Sequence, residues 1–594
     1  MAYVASYGFH ELFINGEKVG HDVLSPSVSD LAKRVYVRAY DITSMLLSGQ
    51  VNTMGLWLGP GWTQFTSVNP AVTNMFNTTK APLVLAAVRY FPGSNALATT
   101  PRTLLVTNAS WSGHPSSTRH IGLWKNSNFG GDRVDGNLSD PAWSHPLRPK
   151  QQPWEAAKVY PLPGRSLSMD VAEPNQRRDV IRPKTVTWVN NSQSKAPVLL
   201  VEMEQVFSGW TVVAGMRGSP GGQVTISQSA LPFKDGDFTA QYNMRHEYVF
   251  GPSGTGSFEP RFSYAEVRFV AISGLDPSTT PTITGVRVGN IATLQSDSVD
   301  SLHQSMSGDS DQQPDNGRIR TGYFQCSNHT LNRIYDTSMR TMANLVTGGM
   351  SVDCPHRERL GYLGDAHTTL ETALDNIASA RFYTKWAQDI IDIQGYPAHT
   401  QGAADASGYI AHTAPTIDGG GGPGWSGFVV VMPWEVYLRT GDTELLQRTY
   451  NAQRRLIEFW NQSFSTKTGL NQRWGSHDPW NYLGDWITPH GSERSDSQEA
   501  DLFNNNYMLY CTRLVAKISH VLGNHTAAET YSAAAQAHAD AIHRRWFVPA
   551  TGGYLDSKQT HLVMSLVSGT VPDELVARVQ SNLVNQILST QVRL

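Results

Sequence analysis

The spacing of apolar residues changes once along this chain, near residue 300, and that change decides what the chain can fold into. Before it, apolar side chains recur at every second position. The stretch "HELFINGEKVG" alternates into an Asn-Gly pair, the signal of a tight hairpin, and "KRVYVRAYDIT" and "NTMGLWLGPGW" keep the same period. The stretch 110–180 loses it, being rich in Gly, Asn, Ser and aromatics; a long irregular piece of this kind inside a domain is usually functional or mobile. Short alternating runs resume near Arg182, among them "PKTVTWV", "APVLLVEMEQVFSGWTVVAGM" and "SYAEVRFVAISGL", with turn signals between them, as in a sandwich. A polar low-complexity linker, 294–317, ends this series. Beyond residue 318 the period becomes helical, and "NHTLNRIYDTSMRTMANLV" sets Leu331, Ile334, Tyr335, Met339, Met342 and Leu345 on one stripe. Caps and Gly stops predict further helices near 365–378, 380–394, 425–440, 443–463, 502–522, 525–546, 559–570 and 573–589. The expectation is a β-sandwich over 1–165, a second over 180–295, and a domain of paired helices over 318–594.

Composition narrows the function. Net charge is −3, so there is no basic footprint for nucleic acid or an anionic membrane surface. Only 16% of residues are charged while 16 Trp, 22 Tyr and 20 Phe are spread along the chain, a balance that suits neutral ligands bound by stacking and hydrogen bonds. No apolar run reaches the roughly twenty residues of a membrane span; the longest, "FVVVMPWEVYL", is interrupted by Pro433 and Glu435. The opening "MAYVASYGFHELFING" lacks a basic head and a long apolar run, so no secretory signal is expected in this chain, and the compartment stays open. The three cysteines, Cys326, Cys354 and Cys511, are far apart and make neither a disulfide framework nor a zinc pattern. The Gly-dense loop 408–427 lacks the Gly-Lys-Ser/Thr ending of a phosphate loop; a tight surface turn that brings Trp425 to a cleft is expected instead. No cofactor or metal is expected.

Charge is concentrated in one place. In "SVDCPHRERLGYLGDAH", 351–367, Asp353, Glu358 and Asp365 are interleaved with Arg357 and Arg359 and flanked by His356 and His367. Acids this close oppose one another's ionisation, so at least one should hold its proton towards neutral pH, while Arg357 can keep a neighbour ionised. Hydrolysis of a glycosidic bond needs that split between a protonated carboxyl and a carboxylate. A structural salt-bridge knot is the competing explanation of the same spacing. His356 and His367 have no third ligand at metal spacing. Two acid–aromatic loops, "DPWNYLGDWITPHG" with Asp478, Asp485 and Trp486, and "GGPGWSGFVVVMPWE" with Trp425, are candidates for the walls of the same cleft; Trp434 and Glu435 are assigned to helix interior and surface.

"DCPHRERLGYLGDA" resembles the signature of glycoside hydrolase family 78, the α-L-rhamnosidases. The segments "FHELFINGEKVG", "QVFSGWTVVAGM" and "GYFQCSNHTLNRIYDTSMRTMANLV" resemble, in order, the family's N-terminal domain, its second β domain and its barrel entrance. The resemblance implies β-sandwich domains followed by an (α/α)6 barrel, and inverting hydrolysis that releases terminal α-L-rhamnose. It implies Glu358 as general acid, with Asp353, Arg357 and Asp365 holding the sugar hydroxyls. Tyr362 stands where the family usually has Trp, and His356 where Gln is common; Tyr362, Trp425, Asp485 and Trp486 complete the expected sugar-binding set. About nine helices against the family's twelve lead us to expect a barrel incomplete in this chain, with the general base outside it. Two other functions remain open. A rhamnose–glucuronate lyase of similar architecture would draw its base and its positive group from His114, His120 and Arg133, and an inactive sugar-binding fragment would need no base.

Overall fold

In the computed structural model, the structure describes residues 1–64, 82–92, 100–124, 127–146, 153–161, 165–234, 236–291, 321–396, 405–417, 420, 422–473, 482–486 and 497–589. The linker 294–317 and Asp478 lie outside these. The first hairpin forms as its sequence dictates. Phe13 faces Lys18 and Ile14 faces Glu17, with Asn15 and Gly16 at φ 52° and 95° as a two-residue turn of this twist requires. These strands belong to a three-stranded sheet opposite a five-stranded one. The apolar faces meet in a core of Val4, Leu12, Ile14, Val19, Tyr40, Ala86 and Val88. The strand Ser166–Met169 pairs with Arg34–Tyr40, so this first sheet reaches past residue 165.

The second sheet has ten strands built around one of 21 residues, Pro197–Arg217. Its buried face carries Leu199, Val201, Phe207, Val213, Val267 and Ile272. Two of its edge strands were not expected there. Thr118–Ile121 and Gly131–Asp135 come from the irregular stretch and join by parallel pairing of Arg133 with Glu247. They are too short to show a period. Their turn depends on Gly130, at φ 78°, where a Cβ would stand 1.5 Å from the Ile121 carbonyl oxygen.

The chain divides into two compact units, Met1–Leu360 and Gly361–Leu594. The helix His329–Leu345 belongs to the first unit. Its C-terminal half is sewn to the second sheet: Arg287 Nη1 donates to the Ala343 carbonyl at 2.9 Å, and the Ser208 amide donates to Asn344 Oδ1 at 3.2 Å. Only that half of the expected stripe is therefore used. Met339 and Met342 are buried, whereas Leu331 and Ile334 are exposed.

The second unit is helical. Its helices are Leu363–Asn376, Ala380–Ile393, Phe428–Thr440, Thr443–Asn461, Gln498–Val521, His525–Trp546, Gln559–Val567 and Asp573–Ser589, with a single turn at Pro423–Ser426. Phe428–Thr440 is buried over most of its length and stops at Gly441, φ 73°. Glu435, expected at the surface, is buried and paired with Arg439 at 2.6 Å. The helix Ala380–Ile393 encloses a Lys385–Asp389 ion pair of 2.6 Å. Among the described residues no helix is long and apolar enough to cross a membrane.

Candidate active site

The charged turn lies at the end of the first unit. It closes on itself: the Asp353 amide donates to the Leu360 carbonyl at 3.0 Å, and the Leu360 amide returns to Asp353 Oδ1 at 3.1 Å. Closure puts Asp353, Cys354 and Glu358 together, with one carboxylate oxygen of each acid and the Cys354 sulfur all within 4.8 Å of one another. Cys354 Sγ donates to Asp353 Oδ2 at 2.8 Å, and Arg357 Nη2 stands 3.2 Å from Glu358 Oε1. His356 pairs with Glu266, and its ring lies 5.3 Å from that of Tyr242.

Burial, and then a hydrogen bond with Glu358, push the Asp353 carboxyl up to about 7. The two carboxyls act on one another, so the raised affinity for a proton towards neutral pH belongs to the pair. At least one raised carboxyl is expected in this cluster, and that of Asp353 is raised. Burial and Asp353 push the Cys354 thiol up to about 12, so it is no nucleophile at neutral pH.

The other expected residues lie in the helical unit. Tyr362 precedes the helix Leu363–Asn376 and bridges to Thr413; the Leu363 amide donates to the His412 carbonyl at 2.8 Å. Asp365 is exposed in the first turn of that helix. Trp425 packs against the same turn: a Cβ on Gly364 would meet its Nε1 at 2.7 Å, and its ring lies 5.0 Å from that of His412. The loop expected at the surface is instead interior from Tyr409 to Ile417. Its backbone is satisfied there by Trp386 Nε1, which donates to the Ala414 carbonyl at 2.9 Å, and by the Gly361 carbonyl, which accepts from the Ala414 amide at 3.1 Å. Asp485 Oδ2 accepts from the Thr560 hydroxyl at 2.6 Å, and Trp486 is exposed. Tyr362, Asp365 and Trp425 thus gather at one helix start. Beside them, a Cβ on Gly422 would stand 3.3 Å from the Leu483 amide of the Asp485 loop.

The groups named for a lyase separate. Asp132 pairs in register with His120, so Arg133, one residue on, points to the opposite face. Arg133 is engaged by Glu247 and by Gln223 at 2.8 Å. His120 packs 5.3 Å from the Trp124 ring, and His114 lies 6.0 Å from that of Trp154. Sequence reasoning named Arg359 but missed its surroundings, the Trp124, Phe129 and Tyr264 rings around its guanidinium. Only the Arg-Glu-Arg spelling, with one of its cations required to face inward, hinted at them.

Three domain families match the chain in order. Residues 1–179 match the alpha-L-rhamnosidase N-terminal domain, 192–289 the bacterial alpha-L-rhamnosidase concanavalin-like domain, and 319–594 the bacterial alpha-L-rhamnosidase 6 hairpin glycosidase domain. An alpha-L-rhamnosidase of Formosa agariphila is 26% identical over 99% of this chain and 58% of its own length. The chain spans little more than half the length of the curated relatives it matches. Two solved structures share the fold. An alpha-L-rhamnosidase of Dictyoglumus thermophilum has a TM-score of 0.78 at 23% identity, covering 99% of this chain and 59% of the other. One of Streptomyces avermitilis, complexed with L-rhamnose, has a TM-score of 0.78 at 21% identity, covering 99% and 51%.

Proposed function

Because the chain belongs to the α-L-rhamnosidase family, we propose that it is a glycoside hydrolase that releases terminal α-L-rhamnose by an inverting acid–base mechanism. The observation that carries this reading is the closed turn that brings the Asp353 and Glu358 carboxyls together, where burial and their proximity favour a shared proton towards neutral pH. Glu358 delivers that proton to the glycosidic oxygen as the bond to the anomeric carbon breaks. Asp353, once ionised, accepts from a sugar hydroxyl, and the Arg357 guanidinium donates to another. Tyr362 and Asp365 add polar contacts, and Trp425 and Trp486 offer apolar walls for the C–H face of the sugar. Inversion also needs a carboxylate to activate water, roughly 6.5–9.5 Å from the acid. We assign no such base among the described residues; Asp485 is the acid of the helical unit to test for it. The L-rhamnose bound by the Streptomyces avermitilis relative supports the choice of sugar.

Product analysis tests the reading. Incubation with an aryl α-L-rhamnoside and with a rhamnosyl-glucuronate oligosaccharide should release reducing L-rhamnose and no unsaturated uronate. An ultraviolet-absorbing unsaturated product would move the chain to the lyases, and saturable rhamnose binding without any turnover would make it a sugar-binding protein.

A further inference from the structure

Glu358 and Arg359 are neighbours in sequence, yet Glu358 is only partly buried while Arg359 is fully buried. The backbone of Arg359 sits in the left-handed region, at φ 59°. A long side chain in the left-handed region costs about 1 kcal/mol or more and persists where its surroundings fix it. Those surroundings are unusual for a cation. Among the described residues no ion pair with a carboxylate is found for Arg359. Its guanidinium lies instead 4.0 Å from the Phe129 ring centroid and 4.2 Å from that of Tyr264, with Trp124 at 5.8 Å. Nε donates to the Pro355 carbonyl at 2.6 Å and Nη2 to the Tyr264 carbonyl at 2.7 Å. Burial lowers Arg359 to about 10, so it is still a cation at neutral pH.

We propose that Arg359 is a positioning residue: its fork ties the Pro355 carbonyl inside the turn to the Tyr264 backbone beside the second sheet, and so holds Asp353 and Glu358 within hydrogen-bonding reach of each other. Three observations support this. The turn has a second tether of the same kind, since the Ser127 amide donates to the Arg357 carbonyl at 2.7 Å. The aromatic box is made from the Trp124–Phe129 segment and from Tyr264, so it arises where two parts of the unit converge on the turn. The Arg359 guanidinium meets two carbonyls and three rings and, among the described residues, forms no ion pair with Asp353 or Glu358, so it acts on the pair through position. A lysine keeps the charge but has no planar fork to bind two carbonyls at once. The role of Arg359 in turnover rests on the hydrolase reading; its hold on the turn does not.

The experiment compares the full chain with Arg359→Lys and Phe129→Leu. Two properties are read beside thermal unfolding and circular dichroism: alkylation of Cys354 by iodoacetamide at pH 8, followed by peptide mass, and the pH dependence of kcat and KM on an aryl α-L-rhamnoside. In folded Arg359→Lys, Cys354 should label about tenfold faster as Asp353 leaves its thiol. Turnover should fall by about tenfold or more, by a larger factor than KM changes. The limb near pH 7 should move down towards the ordinary carboxylate range. Phe129→Leu should change both in the same direction but less, and it carries the test if Arg359→Lys does not fold. Wild-type labelling and an unmoved pH limb in a folded variant would overturn the proposal. A wild-type chain without hydrolysis, together with faster labelling of the variant, would sink the hydrolase reading and leave the positioning role standing.

Discussion

At the scale of single residues, Asp353 links stability to activity. It binds its proton more tightly folded than unfolded, being raised from 3.8 to about 7. Its stabilising contribution is therefore complete below 3.8 and is lost as pH rises through about 7. Asp353→Asn removes the ionisation and with it that loss. The unfolding temperature of the variant should rise relative to the wild type between about pH 4 and pH 7, and a calorimetric series across that range checks it. A difference that does not change with pH would contradict the assignment. The same variant should bind L-rhamnose more weakly, because a charge-assisted hydrogen bond to a hydroxyl is gone.

At the scale of elements, the helix start at Leu363 depends on a glycine. Alanine at 364 would place a Cβ 2.7 Å from Trp425 Nε1 and 3.0 Å from Cδ1. The indole must then move, although alanine favours the helix itself by about 1 kcal/mol. Gly364→Ala should shift tryptophan emission and weaken L-rhamnose binding by about fivefold, roughly 1 kcal/mol. Unchanged binding by calorimetry would remove Trp425 from the sugar site. Elements with long periods or strong turn chemistry were legible in the sequence: the Asn15-Gly16 hairpin and the helices from Leu363 to Ser589 lie close to where periodicity placed them. Thr118–Ile121 and Gly131–Asp135 were not, because four and five residues give no period and the strand that ties them to the sheet, at Glu247, lies over a hundred residues from Gly131–Asp135. Burial of Tyr409–Ile417 was hidden for another reason. A glycine-rich loop reads as surface unless the partners of its backbone, here Trp386 and Gly361, are known.

At the scale of the whole molecule, the boundary at residue 360 separates Asp353, Arg357 and Glu358 from Tyr362, Asp365, Trp425, Asp485 and Trp486. The charged turn could be picked from sequence because its acids are adjacent. Its attachment could not, nor that of the helix His329–Leu345, since these depend on Arg359 and on Arg287 and Asn344 meeting partners distant in the chain. Arg287 is buried, pairs with Asp179 and donates to the carbonyls of Ala343 and Ile291. Arg287→Met leaves Asp179 buried without that cation and should destabilise the first unit by about 3–5 kcal/mol. In limited proteolysis the helix His329–Leu345 should be cut earlier in the variant than in the wild type, and an unchanged pattern would argue against its anchoring through Arg287. The central claim is that Glu358 supplies a proton to the departing oxygen, and its most direct test is a leaving-group series. Glu358→Gln is assayed on aryl α-L-rhamnosides whose phenols span a wide range of acidity. The account predicts a loss in kcat/KM of more than about a hundredfold for weakly acidic phenols, shrinking towards none for strongly acidic ones, which leave unaided. The same loss for every phenol would contradict it.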